Sequence, residues 1–198
     1  EKEISELKNL IRKEIKENDV VVFSGSVPLG LEFDDYKELV DICYDNKAKV
    51  VIDSEKERLK YAIDKGVFLI KPNIHELSDF LNKKIESKAQ LIDETKSLLN
   101  TKIENIIVSL GEDGALFANK ENIMLAKAKD VKCVSTTGAG DSVTAGFIYG
   151  IKNKLDFSEC VKYAVASASA KVGNEGTKPP LKKEILDFLN KIEIEIIQ

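Results

Sequence analysis

Apolar residues follow two rhythms along this chain. In the opening EKEISELKNLIRKEIKEN, Ile4, Leu7, Leu10, Ile11 and Ile15 recur at helical spacing, so the chain starts inside a predicted helix, as if cut into. DVVVFSG is then a short continuous apolar run ending in Ser24-Gly25-Ser26, and helical spacing returns over 34–46 through Leu39, Val40 and Cys43. AKVVID (48–53) repeats the strand pattern before a polar helix over 55–63, and GVFLIKPN (66–73) is a third strand, ended by Pro72. These runs are solidly apolar rather than alternating, which is expected of parallel strands covered by helices on both faces.

Helices are predicted over 74–82 and 87–99, after which ENIIVSLGEDGALFANKENIMLAKA changes the rhythm. Two or three strands meet there through short turns at 111–114 and 119–122, with no room for a helix between them, so the sheet gains an antiparallel extension. Residues 131–134 read as a last strand, followed by helices over 140–152, 157–171 and 181–196. No repeat, low-complexity stretch or linker interrupts 1–198. The alternation predicts one α/β domain of three layers, its parallel strands joined by right-handed crossovers.

Composition narrows the function. A chain of 198 residues with 43% apolar side chains can bury one sizeable core. Its 30 basic and 34 acidic residues are evenly mixed, for a net charge of −4, so nucleic acid is not the expected partner. No apolar run approaches the ~18 residues of a membrane span, and no signal-peptide core opens the chain. Cys43, Cys133 and Cys160 form no CxxC, leave an odd thiol and suggest a reducing, cytoplasmic setting, with all three as buried small apolar groups. His75 is the only histidine, which leaves no material for a Ser/His/Asp triad or a multi-histidine metal site and makes it a surface or packing residue.

Four motifs fall at predicted strand ends, where ligands bind in such sheets: Ser24-Gly25-Ser26, Lys71-Pro72-Asn73, Ser109-Leu110-Gly111 and Gly138-Ala139-Gly140-Asp141. In TTGAGDSV the glycines permit a tight turn that exposes N–H groups, and the following helix adds its positive end, so an anion such as phosphate is stabilised there. Asp141 either takes a hydroxyl proton beside that anion site or caps the helix. Asn73 and Glu76 stand one helical turn apart. They suit Mg²⁺ through water, or they form a helix start in which Asn73 caps and Glu76 favours the dipole. Lys71 reaches a phosphate or lays its stem along apolar surface. SLGEDGA is a ligand loop or a plain hairpin turn. No GxxxxGK[ST] occurs, and GAGDSV lacks the third small residue of a dinucleotide fingerprint, so neither a Walker loop nor a dehydrogenase is indicated.

Together SGSVPLGL (24–31), KPNIHEL (71–77), VSLGEDGA (108–115) and TTGAGDSVTAGF (136–147) resemble the ribokinase/PfkB family of sugar kinases, and within it the phosphosugar branch. The resemblance implies a three-layer α/β/α ribokinase-like fold, a mostly parallel sheet with an antiparallel extension. It implies phosphoryl transfer from ATP, with Mg²⁺, to a sugar phosphate: fructose 1-phosphate first, tagatose 6-phosphate second. By position, Asp141 resembles the catalytic base, and Gly138, Ala139 and Gly140 its anion hole. Ser109, Leu110, Gly111, Glu112, Asp113 and Gly114 match the nucleotide-binding stretch, with Lys71 near the phosphates. Asn73 and Glu76 match the motif that organises Mg²⁺. The helix over 163–171 and the loop before Gly138 would complete the adenine pocket.

The family's N-terminal third, with its GGKGxN motif and β lid, has no counterpart here. Relatives dimerise through that lid, so a homodimer is implied only for a full-length protein. Ser54-Glu55-Lys56 stand where relatives often continue as Asp-x-Ser-Gly, and Ser135 stands where Asp or Asn is frequent. The isolated chain is expected to turn over little or not at all; as another class, it is a truncated module that holds MgATP.

Overall fold

The computed structural model describes residues 2–53 and 56–198, and its contacts divide the chain into two compact units, 1–106 and 107–198. Ser54 and Glu55, the departure noted after Asp53, lie outside the described residues.

The first unit alternates helices α1 (Lys2–Glu14), α2 (Phe33–Asp45), α3 (Lys56–Lys65), α4 (Ile74–Leu81) and α5 (Lys88–Leu99) with strands β1 (Val20–Ser24), β2 (Lys49–Asp53) and β3 (Val67–Ile70), and ends within β4 (Ile103–Ser109). Strands β1 to β4 pair in parallel, with Val22 opposite Val51, Ile52 opposite Ile70 and Ile70 opposite Ile106. Strand β3 is buried throughout, and Ile106, Ile107 and Val108 of β4 are fully buried, as continuous apolar runs require. Strand β1 departs from that expectation. Val22 is 42% exposed, and among the described residues β1 is an edge strand that pairs with β2 alone. Helix α1 buries none of its residues; the Lys8 ammonium ties it to α2 through Asp35 at 2.7 Å and Glu38 at 2.6 Å.

Chain punctuation explains where these helices start. Ser87 accepts a hydrogen bond from the Gln90 N–H and so caps α5, while Glu32 opens α2 with its own N–H donated to the Asp35 carboxylate. Asn82 ends α4 in the left-handed conformation at φ 53°, a role that asparagine tolerates better than most residues.

The second unit carries β5 (Ala115–Asn119), β6 (Ile123–Ala128), α6 (Ala139–Lys152), α7 (Phe157–Val172), α8 (Lys182–Leu189) and β7 (Ile192–Ile196). Strands β5, β6 and β7 are antiparallel, Leu116 facing Leu125 and Met124 facing Ile196. The seven strands hydrogen-bond in chain order, so the expected antiparallel extension follows the parallel set. Phe147 of α6 joins α7 to the sheet, its ring 6.1 Å from Phe117 and 5.9 Å from Phe157. Helices α6 and α7 pack with almost no gap. A Cβ on Gly146 would stand 2.6 Å from Ser167 Oγ, and one on Gly150 would stand 2.7 Å from Cys160 Sγ.

Two expectations fail here. Residues 131–134 are a connection rather than a strand, with Val131 and Val134 both exposed, and the Val134 N–H donates to the Val172 carbonyl instead of to a ladder. The helix predicted over 181–196 ends at Leu189, and IEIEI forms β7 with Ile194 opposite Ala126. Strict two-residue alternation is a strand signal, and it outweighs the helical spacing of the preceding residues.

The cysteines also divide. Cys43 and Cys160 are buried, and burial pushes each thiol up to about 11, whereas Cys133 is exposed, contrary to its reading as a buried group. Ellman's reagent at pH 8 is expected to modify Cys133 rapidly and the other two only on unfolding; fast modification of all three would contradict this packing.

Candidate active site

In the second unit the site is built around the start of α6. The loop entering it is pinned to the end of α7, where the Val172 carbonyl accepts from the N–H groups of Val134 at 2.7 Å and Ser135 at 3.1 Å. Gly138 then turns the chain at φ 80° and is the N-cap position of α6. Only a residue without Cβ takes that φ at no steric cost. Asp141 is therefore not the cap but the third residue of the helix. It lies in the first turn of the helix, at the end where the backbone N–H groups point outward. The Ala139 N–H closes the turn on the Thr136 carbonyl at 3.1 Å, while the Gly140 N–H, one residue on, has no backbone acceptor among the described residues. A short backbone concavity with a carboxylate beside it results, the arrangement that holds an anion next to a proton acceptor. The motif does not stand at a strand end as expected. It follows the connection 129–137, which is fixed by α7 rather than by the sheet.

A cavity of about 600 Å³ opens from this turn, lined by Gly138, Asp141, Tyr149, Tyr163, Ser167 and Lys171 among others. The Tyr149 and Tyr163 rings stand 5.0 Å apart at an angle of 45°. The resemblance pointed to the helix over 163–171 as a whole, without a role for Tyr163 or Lys171 individually, and nothing in the sequence pointed to Tyr149. The available signal was a lone lysine in the small-residue run ASASAK at the end of α7.

At the end of β4, Ser109 to Gly114 form a tight turn in which Leu110 N–H donates to the Gly114 carbonyl at 2.9 Å and Gly111 and Gly114 sit at φ 67° and 85°. The bland hairpin geometry is thus present. Gly114 is also irreplaceable for packing, since a Cβ there would stand 2.8 Å from Lys127 Cβ. Ser109 adds something a plain turn does not need: its Oγ is buried and has no hydrogen-bond partner among the described residues. A buried hydroxyl without a partner is costly, and a ligand donor or acceptor would relieve it. Glu112 and Asp113 are exposed at the tip. None of Ser109 to Gly114 lines the cavity beside Asp141.

In the first unit, Lys71 does not lay its stem along the surface. Its side chain is only 7% exposed, and its ammonium pairs with Asp53 at 3.2 Å, joining the ends of β3 and β2. Sequence reading missed this partner, because the pairing depends on strand register rather than on spacing. Asn73 and Glu76 form a capping box. Asn73 Oδ1 accepts from the His75 and Glu76 N–H groups at 2.9 Å, and Glu76 Oε2 accepts from the Asn73 N–H at 2.8 Å. Glu76 is itself exposed. No group of three or more His, Cys, Asp or Glu among the described residues could hold a metal directly. The pair therefore fits Mg²⁺ only in its hydrated form, which this ion readily keeps. His75 is exposed, as read.

The structure thus shows an α/β fold in which a glycine turn, a helix N-terminus and a carboxylate stand together on the wall of a cavity. The chain belongs to the pfkB family of carbohydrate kinases, whose family model matches residues 1–184. It is 40% identical over 189 residues to 1-phosphofructokinase of Borreliella burgdorferi, covering 95% of this chain and 58% of that protein. Tagatose-6-phosphate kinase of Staphylococcus epidermidis is 35% identical over 171 residues, covering 83% of this chain and 54% of the relative. Phosphofructokinase-2 of Escherichia coli, solved in complex with substrates and products, superposes with a TM-score of 0.90 at 29% identity, over 96% of this chain and 62% of its own. The fold is ribokinase-like, and the chain spans little more than half the length of the curated relatives it matches.

Proposed function

We propose that this chain is the C-terminal, nucleotide-binding and catalytic part of a cytoplasmic ATP-dependent phosphosugar kinase acting on fructose 1-phosphate. The observation that carries the proposal is the turn at Gly138 opening α6, with Asp141 in the first helical turn and on the wall of a cavity. In the reaction a sugar hydroxyl oxygen bonds to the γ-phosphorus of ATP while the bond from that phosphorus to the ADP oxygen breaks. Asp141 takes the hydroxyl proton, and the amides of the Gly138–Gly140 turn hold the charge spread over the phosphoryl oxygens. Ser109 Oγ and the backbone of 110–114 contact the nucleotide. Lys71 serves the phosphates by exchanging its Asp53 partner. Asn73 and Glu76 hold hydrated Mg²⁺, which supplies charge neutralisation at the phosphates when bound.

The choice of fructose 1-phosphate over tagatose 6-phosphate is supported by the higher identity to the 1-phosphofructokinase relative. Steady-state rates on the two sugar phosphates with the full-length protein test it. A higher kcat/KM on fructose 1-phosphate is expected, and faster turnover of tagatose 6-phosphate would reverse the choice.

The short span relative to the relatives supports a second reading for the chain taken alone, a module that binds MgATP without turnover. Calorimetry is expected to show MgATP binding to this chain with no sugar-dependent ADP release. Release at a rate matching the full-length protein would make the chain an enzyme by itself.

A further inference from the structure

Lys171 is a lysine at 2% exposure in the last turn of α7. Its ammonium donates to the Gly176 carbonyl at 2.8 Å, and no carboxylate among the described residues pairs with it. Its Cε lies 3.3 Å from where a Cβ on Gly138 would stand, so the stem runs directly beneath the turn that opens α6. The next residue, Val172, accepts the Val134 and Ser135 N–H groups. Two consecutive residues of α7 therefore hold the approach to the anion site and the turn itself. Lys171 lines the same cavity as Gly138 and Asp141.

A basic residue at a helix C-terminus is favoured by the dipole, but that gain is small and is available to a lysine standing in water. Taking an ammonium out of water costs far more, and the Gly176 carbonyl is the one acceptor it has among the described residues, for three donors. An anion arriving in the cavity resolves the imbalance. We propose that Lys171 is a positioning residue for the phosphates. It clamps the 172–176 segment beneath the Gly138 turn and adds a fixed positive charge to the place where phosphate charge collects. This rests on reading the Gly138–Asp141 turn as the phosphoryl site.

The test uses Lys171→Met, which keeps an unbranched stem and deletes the charge, and Lys171→Gln, which can still donate to a carbonyl. Calorimetry with MgATP and with adenosine separates charge from shape. Losing a charge-assisted contact is expected to weaken MgATP by roughly ten- to a hundredfold in both variants while adenosine affinity is unchanged. Equal weakening of adenosine and MgATP, or unchanged MgATP, overturns the proposal. Amide hydrogen exchange with inorganic phosphate as probe reads the same role without a nucleotide. Phosphate is expected to slow exchange over 134–141 in the wild type and not in the variants, and equal protection in all three overturns it. If the wild type binds phosphate in this way but not MgATP, the kinase reading falls while the role of Lys171 at the anion site stands.

Discussion

Asp141→Asn in the full-length protein is expected to lower kcat by about a thousandfold, within the range that general-base catalysis supplies, while the KM for ATP moves less than about twofold. The two effects separate because the base acts on the hydroxyl proton only as the phosphoryl group transfers, and asparagine keeps the shape of the side chain. The structure makes this variant a clean one. Gly138, not Asp141, is the N-cap of α6, so the variant leaves the cap of the helix in place. A variant that kept its turnover would return Asp141 to a purely structural role. One that melted several degrees lower while keeping its kcat would show the same.

Gly146→Ala is expected to cost about 3 kcal/mol, the upper end of overpacking penalties, and to lower the melting temperature by about 10 °C. The added methyl carbon would stand 2.6 Å from Ser167 Oγ and 2.8 Å from Ala164 Cα, and the second of these belongs to the backbone of α7 and cannot swing away. The helices would have to separate along their whole contact, which passes Gly150 and Cys160 one turn further on. Lys152→Ala, at an exposed position of the same helix, is the comparison and should stay within about 0.5 kcal/mol of the wild type. Because α7 also pins the loop before Gly138, the Gly146 variant should lose MgATP affinity together with its stability, unlike Asp141→Asn.

Much of the fold was legible because periodicity reports burial. The strands VVVFS, VVID and VFLI and the helices between them sit where apolar spacing puts them, and the Gly-bounded turn at 111–114 is as short as its sequence requires. Where periodicity misled, a neighbour decided the outcome. Residues 131–134 carry two valines and are β-prone, yet the Val172 carbonyl takes the Val134 N–H, and no strand among the described residues pairs with them. Residues 192–196 alternate plainly, but their strand character depends on the free edge of β6, which lies some 70 residues back along the chain.

The site divides in the same way. Glycine at φ 80° before Ala139 and the pairing of Asn73 with Glu76 are local, so the sequence reveals them. The partner of Lys71 and the burial of Lys171 are set by register and helix packing, so neither can be read from spacing.

The central claim is that this chain carries the machinery for moving a phosphoryl group from ATP to a sugar phosphate. Phosphorus NMR of the full-length protein with MgATP and fructose 1-phosphate tests it most directly, because each phosphorus is seen in its own chemical state. The account predicts that the γ-phosphate resonance disappears as ADP and a second sugar phosphate ester grow in equal amounts, and that Asp141→Asn slows both by about a thousandfold. ATP loss with inorganic phosphate as the product, or no ATP loss with either fructose 1-phosphate or tagatose 6-phosphate present, would contradict it.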